Sequence, residues 1–269
     1  MAAPVVVDAH VHLLPERLAA AIRRFFADLA PSGYMLYPHE HTAALRALRD
    51  AGIDRCWTLP YARRPGMASA LNRWMAETYG GHATVVPGAT VHPGDDVGEV
   101  LGEALGTFGL SVLKLHCSVG GFAADDPRLE PLWRRVSASG HPVVVHAGHA
   151  VDGTTTAADI APIAGVARRW PDARIVIAHC GAPAVDTALA VLRATRAVHA
   201  DLTPIGRALA PIARDAIAGL ERRLLFGSDA PNVGVTIEEG LAHVRALGLD
   251  AGDEAAVLGG NAERLLARR

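Results

Sequence analysis

Short apolar runs rich in β-branched residues alternate with longer Ala-, Leu- and Arg-rich segments along the whole chain. The intervening segments, such as 127–140, 159–172 and 183–196, repeat apolar residues every three or four positions and end at Gly or Pro-Asp, which is typical of amphipathic helices. Eight strand–helix units predict an α/β fold, a single (β/α)8 TIM barrel. The apolar runs lie at 4–12, 53–60, 83–91, 110–116, 141–148, 173–180, 197–203 and 222–229.

An open, doubly wound sheet is the alternative fold with the same alternation. It normally carries a glycine-rich phosphate loop after its first strand, and the segment DAHVHLLPE at 8–16 has no such loop. No stretch rich in Pro, Gly or Ser divides the chain. Because α/β barrels of this length commonly form one unit, we expect residues 1–269 to be a single domain.

Composition excludes several classes of function. The net charge of -2 and the isoelectric point near 6.7 do not favour a nucleic-acid or membrane partner. Three widely spaced cysteines do not suggest a disulfide framework, and we expect no signal peptide or transmembrane segment. The expected setting is cytoplasmic and the expected partner is a small-molecule substrate; the sequence leaves the oligomeric state open, a homo-oligomer included.

Polar side chains recur where the predicted strands end, and barrel enzymes place their active sites at this C-terminal end. Strand alternation predicts that Val6, Asp8, His10 and His12 share one face of strand 1. It likewise predicts that Ile175, Ile177 and His179 share one face of strand 6. Strands 4, 5 and 8 contribute one residue each at the same height, Lys114, His146 and Asp229.

Imidazole and carboxylate groups converging from several strands suit Zn²⁺ and similar transition ions, and the lack of sulfur ligands indicates a catalytic site. Any one of these histidines alone would more often be structural. Five matched strand ends together predict a metal site.

Lys114 is the only lysine among 26 basic residues. Arginine replaces lysine well as a surface charge, but it cannot lose a proton and react. Two roles explain a lysine here. A neutral amine, its pKa lowered by burial and nearby cations, could take up CO2 and bridge two metals as a carbamate. An ammonium could instead bind the substrate or Asp229. We favour the carbamate.

The chain resembles the amidohydrolase superfamily, and more closely its amidohydrolase-related branch of small barrels. The motifs that carry the resemblance are DAHVH, LKLHCSVGGFAADDPRLEPLW, PVVVHAG, WPDARIVIAHCG, LLFGSDAP and VLGGNAERLL. The resemblance implies that a divalent metal, Zn²⁺ first and Mn²⁺ or Fe²⁺ as alternatives, binds to His10, His12, His146 and Asp229. It further implies that His179 ligates a second ion or orients a water, and that Lys114 matches the lysine that is carboxylated in some branches.

These roles predict a hydrolase that uses metal-activated water to attack an amide, lactone or ester carbonyl. Asp229 would take the proton from the water and pass it to the leaving group, and His179 would polarise the carbonyl. The alternative within the same branch is a non-oxidative decarboxylase of an aromatic or muconate-type acid. A barrel that binds metal or ligand without catalysis is the third hypothesis.

Three further residues are candidates for substrate binding. Arg63 follows strand 2 and could bind a carboxylate through two hydrogen bonds. His92 ends strand 3, and His116 lies two positions beyond Lys114 on the same face. The loops that set the substrate carry no recognisable signature.

Overall fold

The structure, a computed structural model, describes residues 4–29, 35–148, 159–205, 207–209 and 212–267. Its eight parallel strands pair in sequence order from β1 to β8. Backbone hydrogen bonds from the nitrogen of Ala9 to the oxygen of Phe226 (2.9 Å) and from Asp229 to His10 (2.8 Å) join β8 to β1. The predicted barrel is confirmed. The strands are β1 Val7–Val11, β2 Arg55–Thr58, β3 Val85–Thr90, β4 Val112–Leu115, β5 Val143–Val145, β6 Ile175–Ile177, β7 Val198–Asp201 and β8 Leu224–Leu225.

Helices fill the connections between the strands, and the three helices predicted from periodicity correspond to α6, α7 and α8. α9 begins with a capping box, in which Thr236 and Glu239 each bond the other's backbone nitrogen. The helices are α1 Glu16–Leu29, α2 His41–Asp50, α3 Ala68–Tyr79, α4 Val97–Leu101, α5 Cys117–Gly120, α6 Glu130–Ser139, α7 Ile160–Arg169, α8 Val185–Ala194, α9 Ile237–Ala246, α10 Ala251–Ala255 and α11 Asn261–Leu266. Among them none is long and apolar enough to cross a membrane.

Two apolar layers enclose the sheet. The larger lies between the strands and the surrounding helices. The smaller fills the barrel with alternate strand residues such as Trp57, Val112 and Val144, and α11 adds Ala262 and Leu265 to it. α11 therefore closes the N-terminal end of the barrel and leaves the C-terminal end for the polar residues.

β1 does not alternate as predicted. Val7 and Ala9 pack inside the barrel, whereas Val6 packs against the outer layer. The pairing of β1 with β2 shifts register after Asp8, and this irregularity turns His10 toward the site. The prediction that Val6 and Asp8 share a face with His10 is therefore wrong.

β6 also differs from its predicted alternation. Val176 and Ala178 pack inside the barrel, and Ile175 and Ile177 belong to the outer layer. His179 has a backbone φ of 56°, a left-handed conformation that only a minority of non-glycine residues adopt. This turn, and not the alternation of the strand, brings His179 to the site. The predicted common face of Ile175, Ile177 and His179 is wrong.

Candidate metal centre

Three of the predicted ligands meet at the C-terminal end of the barrel. His10, His12 and Asp229 each offer one ligand atom, and these atoms lie within 4.8 Å of one another. Oδ1 of Asp229 lies 3.0 Å from Nε2 of His12 and 3.7 Å from Nε2 of His10. We call this set the triad. Two imidazoles and one carboxylate are a donor set that Zn²⁺, Mn²⁺ and Fe²⁺ accept.

Local backbone features make the triad compact. Asp229 adopts a left-handed φ of 61°, and its backbone nitrogen donates to the oxygen of His10. Gly227 lies two residues before Asp229. A Cβ atom at this glycine would lie 2.8 Å from Cβ of His10 and against the hydroxyl of Thr203. The glycine is therefore needed for His10 to lie this close to the end of β8.

The triad histidines are held through their Nδ1 atoms. Nδ1 of His12 lies 2.7 Å from the carbonyl oxygen of Leu59, which can only accept, so Nδ1 carries a proton and Nε2 is the nitrogen left to bind a metal. Nδ1 of His10 lies 3.0 Å from Oδ2 of Asp201. Outer contacts of this kind orient the imidazoles of metal sites.

Two more of the predicted residues lie beside the triad. The ring centroid of His179 is 5.1 Å from that of His10, and Nδ1 of His179 donates to the carbonyl of Pro204 at 3.0 Å. Nζ of the fully buried Lys114 lies 3.0 Å from Nε2 of His10. The lone lysine thus contacts a triad nitrogen directly.

The protonation states of these groups suit a cation. Burial, together with the charge of Lys114, lowers the pKa of His10 to about 3, so its imidazole is neutral at pH 7. Burial opposes ionisation of Asp229, but the hydrogen bond and charge of His12 outweigh it and lower the pKa to about 2. Burial lowers the pKa of Lys114 to about 8, although Asp201 and Asp229 oppose this shift. These residues fit a divalent ion.

A row of aromatic rings continues from the triad. His146 stacks on His116 with centroids 3.9 Å apart and meets His179 edge-on at 5.0 Å. Tyr61 lies 4.9 Å from His116 and 5.3 Å from His12 between centroids. His146 is therefore next to the triad but outside its compact set, and its role as a ligand stays a prediction. Substrate contact by His116 stays a prediction as well.

The other two substrate candidates are placed differently. Arg63 is exposed in the loop after β2. Both ring nitrogens of His92 bond the backbone: Nδ1 accepts from the nitrogen of Gly94 at 3.0 Å, and Nε2 donates to the oxygen of Gly120 at 3.2 Å. His92 thereby joins the loops after β3 and β4. Substrate contact by Arg63 or His92 remains a prediction.

Asp201 and Tyr61 belong to the site but were not among the predicted residues. Asp201 is the last residue of β7. A polar residue at the C-terminal end of a strand is the pattern that predicted Lys114 and Asp229, and Asp201 has the same pattern. Tyr61 follows β2 in the segment LPYARRPG, two residues before Arg63, the residue predicted there to bind substrate. Burial and the charge of Asp229 raise the pKa of Tyr61, which keeps its hydroxyl protonated.

Solved structures of the same fold cover nearly the whole chain. A 2,6-dihydroxybenzoate decarboxylase complexed with 2,6-dihydroxybenzoate is 16% identical over 99% of both chains, with a TM-score of 0.74. A 5-carboxyvanillate decarboxylase from Sphingomonas paucimobilis is 16% identical over 98% of this chain and 99% of that chain, with a TM-score of 0.72. A dihydroxybenzoic acid decarboxylase from Polaromonas sp. JS666, with bound manganese and the inhibitor 2-nitroresorcinol, is 14% identical over 99% of this chain and 97% of that chain, with a TM-score of 0.70.

At these identities the structural likeness establishes the fold alone. The comparison with curated proteins gives no match. The sequence itself matches a family described as Amidohydrolase (Amidohydro_2) over residues 7–268, which include every residue of the triad. The resemblance inferred from the motifs is confirmed, and this chain belongs to the amidohydrolase family.

Proposed function

We propose that the protein is a metal-dependent, non-oxidative decarboxylase of a small hydroxylated aromatic acid. The observation that carries the proposal is the triad of His10, His12 and Asp229 at the mouth of a barrel. Aromatic-acid decarboxylases share this barrel over almost its full length. Hydrolysis, the reaction favoured by the motifs, becomes the second candidate.

A divalent ion held by Nε2 of His10, Nε2 of His12 and the carboxylate of Asp229 would supply a Lewis acid that binds the oxygens of the acid and withdraws negative charge from them. Zn²⁺ and Mn²⁺ both suit the donor set. His179, whose ring centroid lies 5.1 Å from that of His10, and His146, which contacts His179, are the residues that would complete the coordination or hydrogen-bond the substrate.

Asp229 is the proton carrier of the proposed reaction. Its low pKa makes it a carboxylate at pH 7, so it first accepts the proton of the substrate's hydroxyl group. It then delivers that proton to the ring carbon that carries the carboxylate. The carbon–carbon bond breaks, its electron pair returns to the ring, CO2 leaves, and solvent reprotonates the phenolate.

The neighbouring rings suit a flat substrate. Tyr61, His116 and His146 form a continuous aromatic row beside the triad, and stacking on such rings favours an aromatic acid. Lys114 lies at the inner end of the site, in contact with Nε2 of His10. The neutral Tyr61 hydroxyl can donate a hydrogen bond to a substrate oxygen.

One observation favours the hydrolase. Asp229 is ionised at pH 7, so it is also available to accept a proton from an attacking water. In that reaction Asp229 would take the proton of the attacking water and pass it to the leaving group of an amide, lactone or ester. His179 would orient or polarise the carbonyl.

Metal-stripped protein reconstituted with Mn²⁺ or Zn²⁺ should be tested on a panel of hydroxybenzoates and on a matched panel of esters, lactones and amides. Release of CO2 from an aromatic acid supports the decarboxylase, and hydrolysis without CO2 release overturns it. Asp229→Asn should abolish turnover under either reaction while the circular-dichroism spectrum is retained. Metal binding without turnover of any substrate would favour a non-catalytic barrel.

A further inference from the structure

We infer that Asp201 is a positioning residue that fixes the metal-binding tautomer of His10 and, with its second oxygen, holds the turn that carries His179 into the site. The inference rests on the metal centre of the proposed function and not on the reaction that occurs there. Metal affinity and imidazole tautomers test it without a substrate, so its outcome is independent of the activity screen.

Asp201 is the last residue of β7 and is fully buried. Its two oxygens face different partners. Oδ2 lies 3.0 Å from Nδ1 of His10. Oδ1 accepts from the backbone nitrogen of His179 at 2.8 Å and from that of Thr203 at 3.3 Å. One carboxylate therefore bonds the side chain of His10 on β1 and the backbone of the residues that follow β6 and β7.

The contact with His10 determines which ring nitrogen can bind a metal. A carboxylate only accepts hydrogen bonds, so Nδ1 of His10 must carry the proton and Nε2 must keep its lone pair. Nε2 is the nitrogen that faces Asp229 and contacts Nζ of Lys114. A lysine ammonium only donates, so this second contact requires the same tautomer.

The nearby hydroxyl of Thr203 does not have the same effect. Its Oγ1 lies 3.3 Å from Nδ1 of His10, but a hydroxyl can donate as well as accept and therefore tolerates either tautomer. Among the described neighbours of His10 Nδ1, Asp201 is the one that accepts only. At Nδ1 the tautomer is therefore set by Asp201, and the Lys114 ammonium favours the same tautomer from Nε2.

The contact with His179 holds an uncommon backbone conformation. His179 and Cys180 both have positive φ, at 56° and 47°, and non-glycine residues adopt this region at a cost that the surroundings must offset. The hydrogen bond from the His179 nitrogen to Asp201 is buried and charge-assisted, which makes it stronger than a neutral bond. It fixes the turn at the point where the chain leaves β6.

Asp201→Asn is the test because it keeps the size of the side chain and changes one acceptor into a donor. The backbone N–H of His179 cannot change its role, so the amide oxygen should face it. The amide nitrogen then faces Nδ1 of His10 and disfavours the proton there; replacing Lys114 by Met as well removes the donor at Nε2, so in the double variant the imidazole proton moves to Nε2. We expect Mn²⁺ and Zn²⁺ affinity, measured by titration calorimetry, to fall about ten- to a hundredfold.

The imidazole ¹⁵N spectrum of the metal-free protein provides the second measurement. In the native protein and in Lys114→Met we expect Nδ1 of His10 to be protonated and Nε2 to be unprotonated, with the reverse in the double variant Asp201→Asn/Lys114→Met. Signals of His10 can be assigned by their loss in His10→Gln. Thr203→Val, which removes the other neighbour of Nδ1, and the surface change Asp253→Asn should leave affinity within about twofold and the tautomer unchanged.

Unchanged metal affinity in Asp201→Asn overturns the inference, and so does a proton that stays on Nδ1 in the double variant Asp201→Asn/Lys114→Met. If the variant does not fold, the native spectrum decides: a protonated Nε2 of His10 in the metal-free native protein overturns the assignment, and a protonated Nδ1 sustains it.

Discussion

The Nζ atom of Lys114 lies 3.0 Å from Nε2 of His10, the nitrogen through which His10 would bind a metal. An ammonium and a metal ion cannot both use the lone pair of this nitrogen. Metal binding must therefore release the contact between the two side chains. Because Lys114 is fully buried, loss of its proton removes the competing charge more readily than rotation toward solvent would.

Metal affinity should rise with pH because of this competition. The pKa of Lys114 is lowered to about 8 by burial, so below pH 8 each ion bound displaces about one proton, and affinity should increase about tenfold per pH unit. Above pH 8 the amine is already neutral and the slope should disappear. Titration calorimetry between pH 6.5 and 9 measures both regimes.

Lys114→Met is the matched variant for this pH dependence, because it keeps the length and burial of the side chain but has no proton to lose. Its metal affinity should be nearly independent of pH between 6.5 and 8. The same tenfold slope in Lys114→Met would show that another group supplies the displaced proton.

Carbamate formation at Lys114 makes a separate prediction about the number of metal ions. Bicarbonate added at pH 8.5, where the amine is neutral, should raise the metal content from one to two ions per chain, since a carbamate can bridge a second ion. Elemental analysis after gel filtration counts them. Lys114→Met should stay at one ion with or without bicarbonate. A constant content of one ion in the native protein would rule out the bridging role of Lys114.

Acid should destabilise the fold partly through His199, which lies on β7 on the N-terminal side of Asp201. Burial and the charges of Arg223 and Arg174 lower its pKa to about 4. The unfolded chain, with an ordinary pKa near 6.5, takes up the proton first. The stability that neutral His199 contributes is therefore complete above about pH 6.5 and is lost as the pH falls toward 4.

His199→Gln should weaken this acid dependence. When the pH falls from 7.5 to 4.5, the free energy of unfolding should decrease by about 1–2 kcal/mol less in the variant than in the native protein. This difference takes into account that solvent partly screens the imidazole. Urea unfolding of the metal-free proteins measures the difference. His82→Gln, at an exposed histidine, is the control and should have the acid dependence of the native protein. If His199→Gln has that same acid dependence, the assignment to His199 is contradicted.

The sequence predicted the barrel and the triad because both depend on local patterns. Eight apolar runs indicate the strands without any knowledge of which strands pair. His12 follows β1 directly and Asp229 lies four residues beyond β8, at the end of the barrel where the pattern placed them. His10 and His179 reach the site for reasons that the pattern does not contain. A register shift in β1 turns His10, and a left-handed backbone turns His179, so the predicted faces of both strands were wrong.

Asp201 shows why the outer contacts of the site were harder to predict. It lies 191 residues from His10 in the chain, and its function follows from which nitrogen of a distant imidazole it meets. Periodicity places a side chain on a face of a strand, but it does not reveal a hydrogen-bond partner on another strand. Tyr61 was missed for a similar reason, since its role depends on rings contributed by β1 and the β4 loop.

Gly227→Ala should disturb the metal centre through packing alone. A Cβ at this position would lie 2.8 Å from Cβ of His10 and against the hydroxyl of Thr203, so His10 must move away from Asp229. We expect metal affinity to fall about tenfold or more and the free energy of unfolding to fall by about 1–3 kcal/mol. Calorimetric titration with Mn²⁺ and urea unfolding of the metal-free protein measure the two effects.

Gly165→Ala is the matched control, because it makes the same substitution inside α7, where an added Cβ meets nothing within 4 Å. This change should raise the free energy of unfolding by about 0.5–1 kcal/mol through helix propensity and leave metal affinity unchanged. The contrast separates a general effect of the extra methyl group from crowding of His10. If Gly227→Ala binds Mn²⁺ as tightly as the native protein, the close approach of β8 to His10 does not set the geometry of the triad.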